Sequence, residues 1–305
     1  MISTVPINQI LYRPPIEANS LLIAVTGGCS WNKCKFCSMY KTKDYTTIQE
    51  YGILPLEDVL NQVDHAAANN YHGFPVFLAG GNATSAPTDF LVKIIKHVRL
   101  TLKDVKRISC YAKSLDILRK TDDELRQLAE AGLDIVYMGL ESGDSNILRK
   151  MRKGTNAESM IKAGRRILDA GIKLSLYVLL GLGGRADTKS HALETARVLT
   201  AINPTVFRFR TLHITNINPP PLYDDIKNGS FELLSPVECI REEREIIANL
   251  GDNVTSEVYN DHMNNYCHIK SQNIKENKET FIKTLDSYIN DPQIQKMQRK
   301  NFNTM

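Results

Sequence analysis

The sequence lacks any apolar run near the roughly 18 residues needed to cross a bilayer. Its opening stretch, MISTVPINQILYRPP, lacks a basic region followed by an apolar core. Neither a membrane span nor a secretory leader is expected, and the expected compartment is the cytoplasm. Charge is nearly balanced: 38 Lys and Arg against 34 Asp and Glu leave a formal net charge of +4. The dense basic stripe of a nucleic-acid binder is missing, so no nucleic-acid partner is expected. No low-complexity linker divides the chain, and its 305 residues, 42% of them hydrophobic, are expected to form one domain with a substantial core. The six cysteines include no second Cys-x-x-Cys and no nearby His pair. Three of them crowd into residues 29–37, which is unlike a secreted disulfide framework and points to metal or redox chemistry.

What is present is a repeat of strand-length apolar runs and helical patterns. Leu21–Val25, Val76–Ala79, Ile108–Tyr111, Ile135–Leu140, Leu174–Leu180 and Val206–Leu212 are mostly continuous, as strands buried on both faces are. Capping-box patterns at Thr121-x-x-Glu124, Thr155-x-x-Glu158 and Ser235-Pro236-x-Glu238 mark helix starts. Ala131-Gly132-Leu133 and Ala170-Gly171-Ile172 mark helix ends, where glycine closes the helix before a new strand. Repeated right-handed crossovers imply a parallel sheet, open or curled into a barrel. After about residue 213 the chain becomes proline-rich, Ile214 to Leu222, then carries a helix from Ser235 to Leu250. The polar tail from Lys275 is helix-prone, with Lys296, Arg299 and Lys300 read as a solvated face.

The stretch Thr26-Gly-Gly-Cys29-Ser-Trp-Asn-Lys-Cys34-Lys-Phe-Cys37 follows the first strand directly, at the strand end where parallel α/β folds place active sites. Three thiolates on one short loop can each bind a different iron of a cubane cluster and leave the fourth iron open to a substrate. A structural zinc site wants a fourth ligand. A thioredoxin-like use of Cys34-x-x-Cys37 would leave Cys29 idle, and three unrelated buried cysteines is the blandest alternative. Cys110, Cys239 and Cys267 are isolated from one another and read as buried apolar residues.

This loop, with Phe36 between its last two cysteines, resembles the signature of the radical S-adenosylmethionine (SAM) superfamily, and the likeness runs over most of residues 12–290. The commonest family spacing has three residues between the first two cysteines; this chain has four, so its loop must bulge by one. The resemblance implies an α/β fold, a partial parallel (β/α)6-type TIM barrel with its core at about 18–215. A small C-terminal helical and loop extension, about 216–305, is expected to cover the barrel mouth. It implies a 4Fe–4S cluster on Cys29, Cys34 and Cys37, with SAM as the second cofactor.

Further motifs are similar to those of the coproporphyrinogen-dehydrogenase and methylthiotransferase type. Gly80-Gly81-Asn82 resembles the family's Gly-Gly-Glu, which meets the amino group of the SAM methionine, with Asn82 offering a carbonyl instead of a carboxylate. Glu141, in Tyr137-Met-Gly139-Leu-Glu141, stands at the ribose-contact position. Lys153 stands where a cation meets the methionine carboxylate, and Gly181, in Gly181-Leu-Gly183-Gly184, where the adenine packs on backbone. The implied chemistry is reductive cleavage of SAM to methionine and a 5′-deoxyadenosyl radical that abstracts hydrogen from the substrate. That requires a low-potential electron donor such as flavodoxin or ferredoxin.

With no separate RNA-binding module, cobalamin domain or cysteine-rich extension apparent, a small-molecule substrate is expected. Candidate lining comes from Tyr111, His213, Asn216, Asn218, Glu257 and Tyr259. Asp261 and His262 are the candidate catalytic residues for moving a proton. The specific expectation is a carbon–nitrogen bond lyase on a nucleobase-like molecule, as in queuine salvage. The alternatives are a porphyrin-modifying or isomerising radical SAM enzyme, and, outside the class, a non-catalytic iron–sulfur or zinc-binding protein.

Overall fold

The structure, a computed structural model, describes residues 11–40, 50–216 and 218–299. The readings placed on residues 1–10 and on Lys300 lie outside them. In chain order the elements are β1 (Leu21–Ala24), β2 (Thr26–Gly27), β3 (Gly52–Ile53), α1 (Leu56–Ala68), β4 (Val76–Ala79), α2 (Thr88–Thr101), β5 (Ile108–Ala112), α3 (Ser114–Arg119), α4 (Asp122–Ala131), β6 (Ile135–Glu141) and α5 (Ser145–Lys150). There follow α6 (Ala157–Asp169), β7 (Lys173–Leu180), α7 (Gly184–Ile202), β8 (Val206–Thr211), α8 (Leu222–Lys227), α9 (Pro236–Ala248), β9 (Glu257–Asn260), β10 (Ile269–Ser271), α10 (Ile274–Asn290) and α11 (Pro292–Lys296). The fold is α/β with a mostly parallel sheet of eight strands. Contacts gather the chain into two compact units, one of residues up to 32, 39–138 and 165–174, the other of 33–38, 139–164 and 175 onward.

In the first unit β1, β4, β5 and β6 run parallel in that order, with Leu21 opposite Val76, Val76 opposite Ile108, and Cys110 opposite Val136. Every residue of β1 and β4 is buried, which is why these runs lack a polar alternation. Helix α1 buries Val59, Val63 and Ala66, and α2 buries Leu91, Ile94, Ile95 and Val98, the three-and-four spacing of a helix with one apolar face. Near the start of β5, the buried Glu17 accepts from Arg107, Ser109 and Tyr137. Burial would raise its pKa, but these hydrogen bonds and the Arg107 charge hold it below the ordinary value.

In the second unit β7, β8 and β9 are parallel, with Tyr177 opposite Arg208 and Arg208 opposite Tyr259. Strand β10 closes antiparallel on β9, and α9 packs against α7 and α10. Strand β9 differs from the expectation that the strand–helix repeat ends before residue 216. Glu257–Asn260 alternates half-buried and buried positions, but its buried pair is Val258 and Asn260. A buried asparagine breaks the apolar alternation by which a strand is recognised.

The capping boxes at Thr121 and Ser235 are both formed, and Gly132 closes α4 at φ +107°. The third box is displaced: the side chain of Asn156, not Thr155, accepts from Ser159 N at 2.8 Å, so α6 starts one residue later. Arg299 also departs from its reading as a solvated charge, since its guanidinium donates to the carbonyls of Leu234 and Leu212.

Candidate active site

In the first unit, Cys29 is half-buried on the turn after β2, next to Gly28 at φ +57°. Gly81 at the end of β4 donates its N–H to Gly28 O at 2.9 Å. A Cβ on Gly81 would stand 2.3 Å from that oxygen and 2.6 Å from Cys29 Cα, so only glycine lets β4 end against the cysteine turn. Asn82 is fully buried. Its carbonyl accepts from Ser30 N at 3.1 Å, and its amide donates to Ser30 Oγ at 2.9 Å and to Asp116 Oδ2 at 2.5 Å. Lys113 Nζ also donates to Ser30 Oγ, at 2.8 Å.

The amide expected to face SAM is thus engaged in holding the residue after Cys29, and the nearest carboxylate is that of Asp116. Burial raises the Asp116 pKa, opposed by Lys113 and the Asn82 hydrogen bond. Tyr111 lies edge-on to Phe77, centroids 5.2 Å apart, and to Tyr137 at 6.4 Å.

In the second unit, the backbone of Lys35 is tied on both sides: its N–H donates to Met151 O at 2.9 Å and its carbonyl accepts from Leu222 N at 2.8 Å. Its ammonium pairs with Asp225. Phe36 packs on the buried cluster of Ile147, Met151, Leu182, Leu212, Ile214 and Leu222. These ties fix the segment carrying Cys34 and Cys37 to α5 and α8.

Lys153 Nζ lies 5.8 Å from the Phe36 ring centroid and 2.8 Å from Glu141 Oε1. Burial alone would lower its pKa, but Glu141 and then Cys34 outweigh it and the net movement is upward. Glu141 adopts φ +62°, a left-handed backbone that is costly for a residue with a side chain. A Cβ on Gly139 would lie 2.0 Å from Glu141 Oε1 and 2.8 Å from Lys153 Nζ. The glycine and the strained glutamate together let the carboxylate fold back onto the lysine. Two residues assigned to separate parts of SAM are therefore partners of each other in this structure. Gly181, at φ +82°, gives its N–H to Glu242 Oε1 at 2.6 Å.

Of the candidate substrate residues, Tyr111 belongs to the first unit and the others to the second. His213 and Asn218 are half-buried and Asn216 is exposed. Glu257 and Tyr259 are joined, the phenol donating to the carboxylate at 2.7 Å. Asp261 is exposed and faces Arg208 and Arg210 at 3.6 and 3.9 Å. Burial, then the Arg210 charge, pushes His262 below the usual imidazole pKa, and its Nδ1 accepts from Asn264 N at 3.2 Å.

Sequence reasoning passed over Asp116, which carried no motif, and Arg208 and Arg210. The two arginines were visible: in Val206-Phe-Arg-Phe-Arg-Thr they alternate with phenylalanines, which places both on one face of the strand.

Residues 23–199, more than half of the chain, match the family described as the Radical SAM superfamily, and the chain belongs to it. It is 28% identical over 183 residues to a biotin synthase of Rhodopseudomonas palustris, covering 59% of this chain and 49% of that protein. The chain thus spans about half the length of the curated relatives it matches first. Among solved structures it resembles a radical S-adenosylmethionine methyltransferase of Kitasatospora setae at TM-score 0.54 and 18% identity, over 68% of this chain and 36% of that one. It also resembles coproporphyrinogen III oxidase of Escherichia coli, a radical SAM enzyme, at TM-score 0.53 and 17% identity, over 81% and 54% of the two chains. These structural likenesses carry the fold alone.

Members of the superfamily use a 4Fe–4S cluster and SAM, and these are this chain's cofactors. The donor chemistry fits: Cys29, Cys34 and Cys37 are half-buried thiols outside any disulfide, close together in sequence, and the cationic Lys153 stands beside Cys34 and Cys37. Among the described residues no three His, Cys, Asp or Glu side chains are grouped around a common point, so the fit rests on that chemistry rather than on a preformed cage. Among those residues, too, no helix is long and apolar enough to cross a membrane.

Proposed function

We propose that this chain reductively cleaves SAM and abstracts hydrogen from a small-molecule substrate, drawing its electron from a low-potential donor of the flavodoxin or ferredoxin kind. The observation that carries the reading is that Cys34 and Cys37 of the cysteine motif stand beside a cationic Lys153, itself paired with a backbone-strained Glu141, within a chain of this superfamily. The cluster and SAM supply the one-electron cleavage and the 5′-deoxyadenosyl radical. The protein supplies three thiolates from Cys29, Cys34 and Cys37, contacts to SAM from the Gly80–Asn82 turn, Phe36, Glu141, Lys153 and Gly181, and a substrate surface. For Glu141 and Lys153 to meet SAM, their mutual ion pair must open or be shared, and a partly buried pair keeps both side chains ordered until then.

The specific substrate we would test first is a nucleobase-like molecule such as queuine, cleaved at a carbon–nitrogen bond. Its contacts would come from Tyr111, His213, Asn216, Glu257 and Tyr259, with Asp261 and His262 moving the proton. A His262 held neutral is suited to accept one. Porphyrin modification and isomerisation are the competing reactions. Anaerobic incubation of reconstituted protein with SAM, dithionite and a metabolite pool, scoring 5′-deoxyadenosine together with consumed metabolites, tests class and substrate at once. Protein that carries about four irons per chain and yet makes no 5′-deoxyadenosine would refute the catalytic reading.

A further inference from the structure

We infer that His191 is a positioning residue of the SAM site, joining the turn that carries Glu141 at the end of β6 to the turn that carries Gly181 at the end of β7. The inference rests on the radical SAM reading above and adds to it what holds those two contacts in register.

Glu141 sits at φ +62°, a conformation that a residue with a side chain keeps only where its surroundings over-determine it. Those surroundings lie on α7. Gly143 donates its N–H to Thr195 Oγ1 at 2.9 Å, and a Cβ on Gly143 would stand 2.1 Å from Glu194 O, so the chain passes directly against the helix. Asp144 accepts from Ser190 with one carboxylate oxygen and from Asn146 N, at 2.7 Å, with the other. The turn after Glu141 is thus clamped to α7 on both sides of Ser142.

His191, on the same helix and wholly buried, carries the clamp onward. Its Nδ1 lies 2.8 Å from Ser142 Oγ. That oxygen already accepts from Asp144 N at 3.0 Å, and Nδ1 is the acceptor within reach of its proton, so Ser142 donates and the ring carries its hydrogen on Nε2. Nε2 faces Glu242 Oε1 at 3.5 Å, with both side chains withdrawn from water. It makes no hydrogen bond among the described residues, and in a dry interior an N–H and a carboxylate attract over that distance. The same Oε1 accepts from Gly181 N at 2.6 Å, while Oε2 accepts from Thr188 Oγ1. Polar contacts therefore run from Asp144 N through Ser142, His191 and Glu242 to Gly181 N. A histidine serving packing alone would need to touch neither turn; this one bonds the first and faces the carboxylate that holds the second.

The test combines amide hydrogen exchange without SAM and equilibrium SAM binding, both on the iron-loaded protein. Ser142→Ala should raise exchange at Gly181, which it does not touch, and Glu242→Gln should raise it at Gly143. Each should weaken SAM binding by about threefold to tenfold, the effect of one hydrogen bond. The double variant should bind no more weakly than the poorer single one, because both changes cut the same chain of contacts. His191→Asn keeps an amide where Nδ1 stands but does not reach Glu242. It should preserve protection at Gly143 and lose it at Gly181, a split that general unfolding does not produce. Exchange changes confined to the turn that was altered, multiplying effects in the double variant, or an unchanged Kd in both single variants would overturn the positioning role. Wild-type holoprotein that binds no SAM removes the radical SAM reading and this role with it, whereas loss of the coupling in a protein that binds SAM removes the role alone.

Discussion

Two glycines illustrate how single residues shape the candidate site. At Gly81 a methyl group would meet backbone, Gly28 O and Cys29 Cα, and backbone cannot swing aside as a side chain can. Gly81→Ala is therefore expected to displace the Cys29 turn and cut iron retained per chain after reconstitution, with the rest of the unit still folded. Iron content equal to wild type in a folded variant would show that the turn tolerates the shift. At Gly139 the obstructing atoms are the flexible ends of Glu141 and Lys153, so alanine there costs little stability and instead forces the ion pair open. Glu141→Ala removes the pair outright. It should weaken SAM binding by about 1–3 kcal/mol, the range for losing a charged hydrogen-bond partner, while the cluster remains. Equilibrium binding of SAM to the iron-loaded variant decides this, and an unchanged Kd removes Glu141 from the SAM site.

At the scale of the element, α6 separates a sequence pattern from the contact that realises it. Thr155-x-x-Glu158 fits a capping box, but Asn156 makes the cap to Ser159 N. Asparagine is as good an N-cap as serine and better than threonine, so two adjacent candidates compete and the preceding turn decides. Asn156→Ala should cost about 1 kcal/mol in urea unfolding, and Thr155→Ala clearly less; the reverse order would restore the box as written. Strand β9 is a second case. Its buried Asn260 is tolerated because its amide donates to Glu243 and, at 3.2 Å, to Cys267 Sγ, while its carbonyl accepts from Asn265. A polar residue paired in this way can occupy a core position that periodicity reserves for an apolar one.

At the scale of the whole molecule, Glu243 gives stability a pH dependence. Burial pushes its carboxyl up to about 8, against the opposing hydrogen bonds from Cys267 and Asn260. The folded chain then keeps a proton that the unfolded chain releases near the ordinary value of 4.5. The stability this contributes is full below the unfolded pKa and declines as pH rises toward the folded one. Tm should accordingly fall between about pH 5 and about pH 8, and Glu243→Gln, which keeps the shape without the ionisation, should flatten that part of the profile. An identical slope in the variant would assign the decline to other groups.

The sequence alone determined the α/β class and carried the cysteine motif whose family resemblance implied the cofactors, because strand runs, helix caps and the motif itself are short-range regularities. Continuous apolar runs reveal strands covered on both faces, and a capping box or a helix-closing glycine acts within a few residues. Six strand runs were legible in this way, with ends within one residue of β1, β4, β5, β6, β7 and β8. Tertiary structure decided what each polar side chain faces. Asn82 turns to Ser30 and Asp116, Glu141 to Lys153, and Arg208 to Tyr259 and Asp261. A motif specifies which chemical groups arrive at a strand end, but a buried hydrogen bond or charge is satisfied by whatever partner the fold brings within reach, and that partner can lie 52 residues away, as Ser30 does from Asn82.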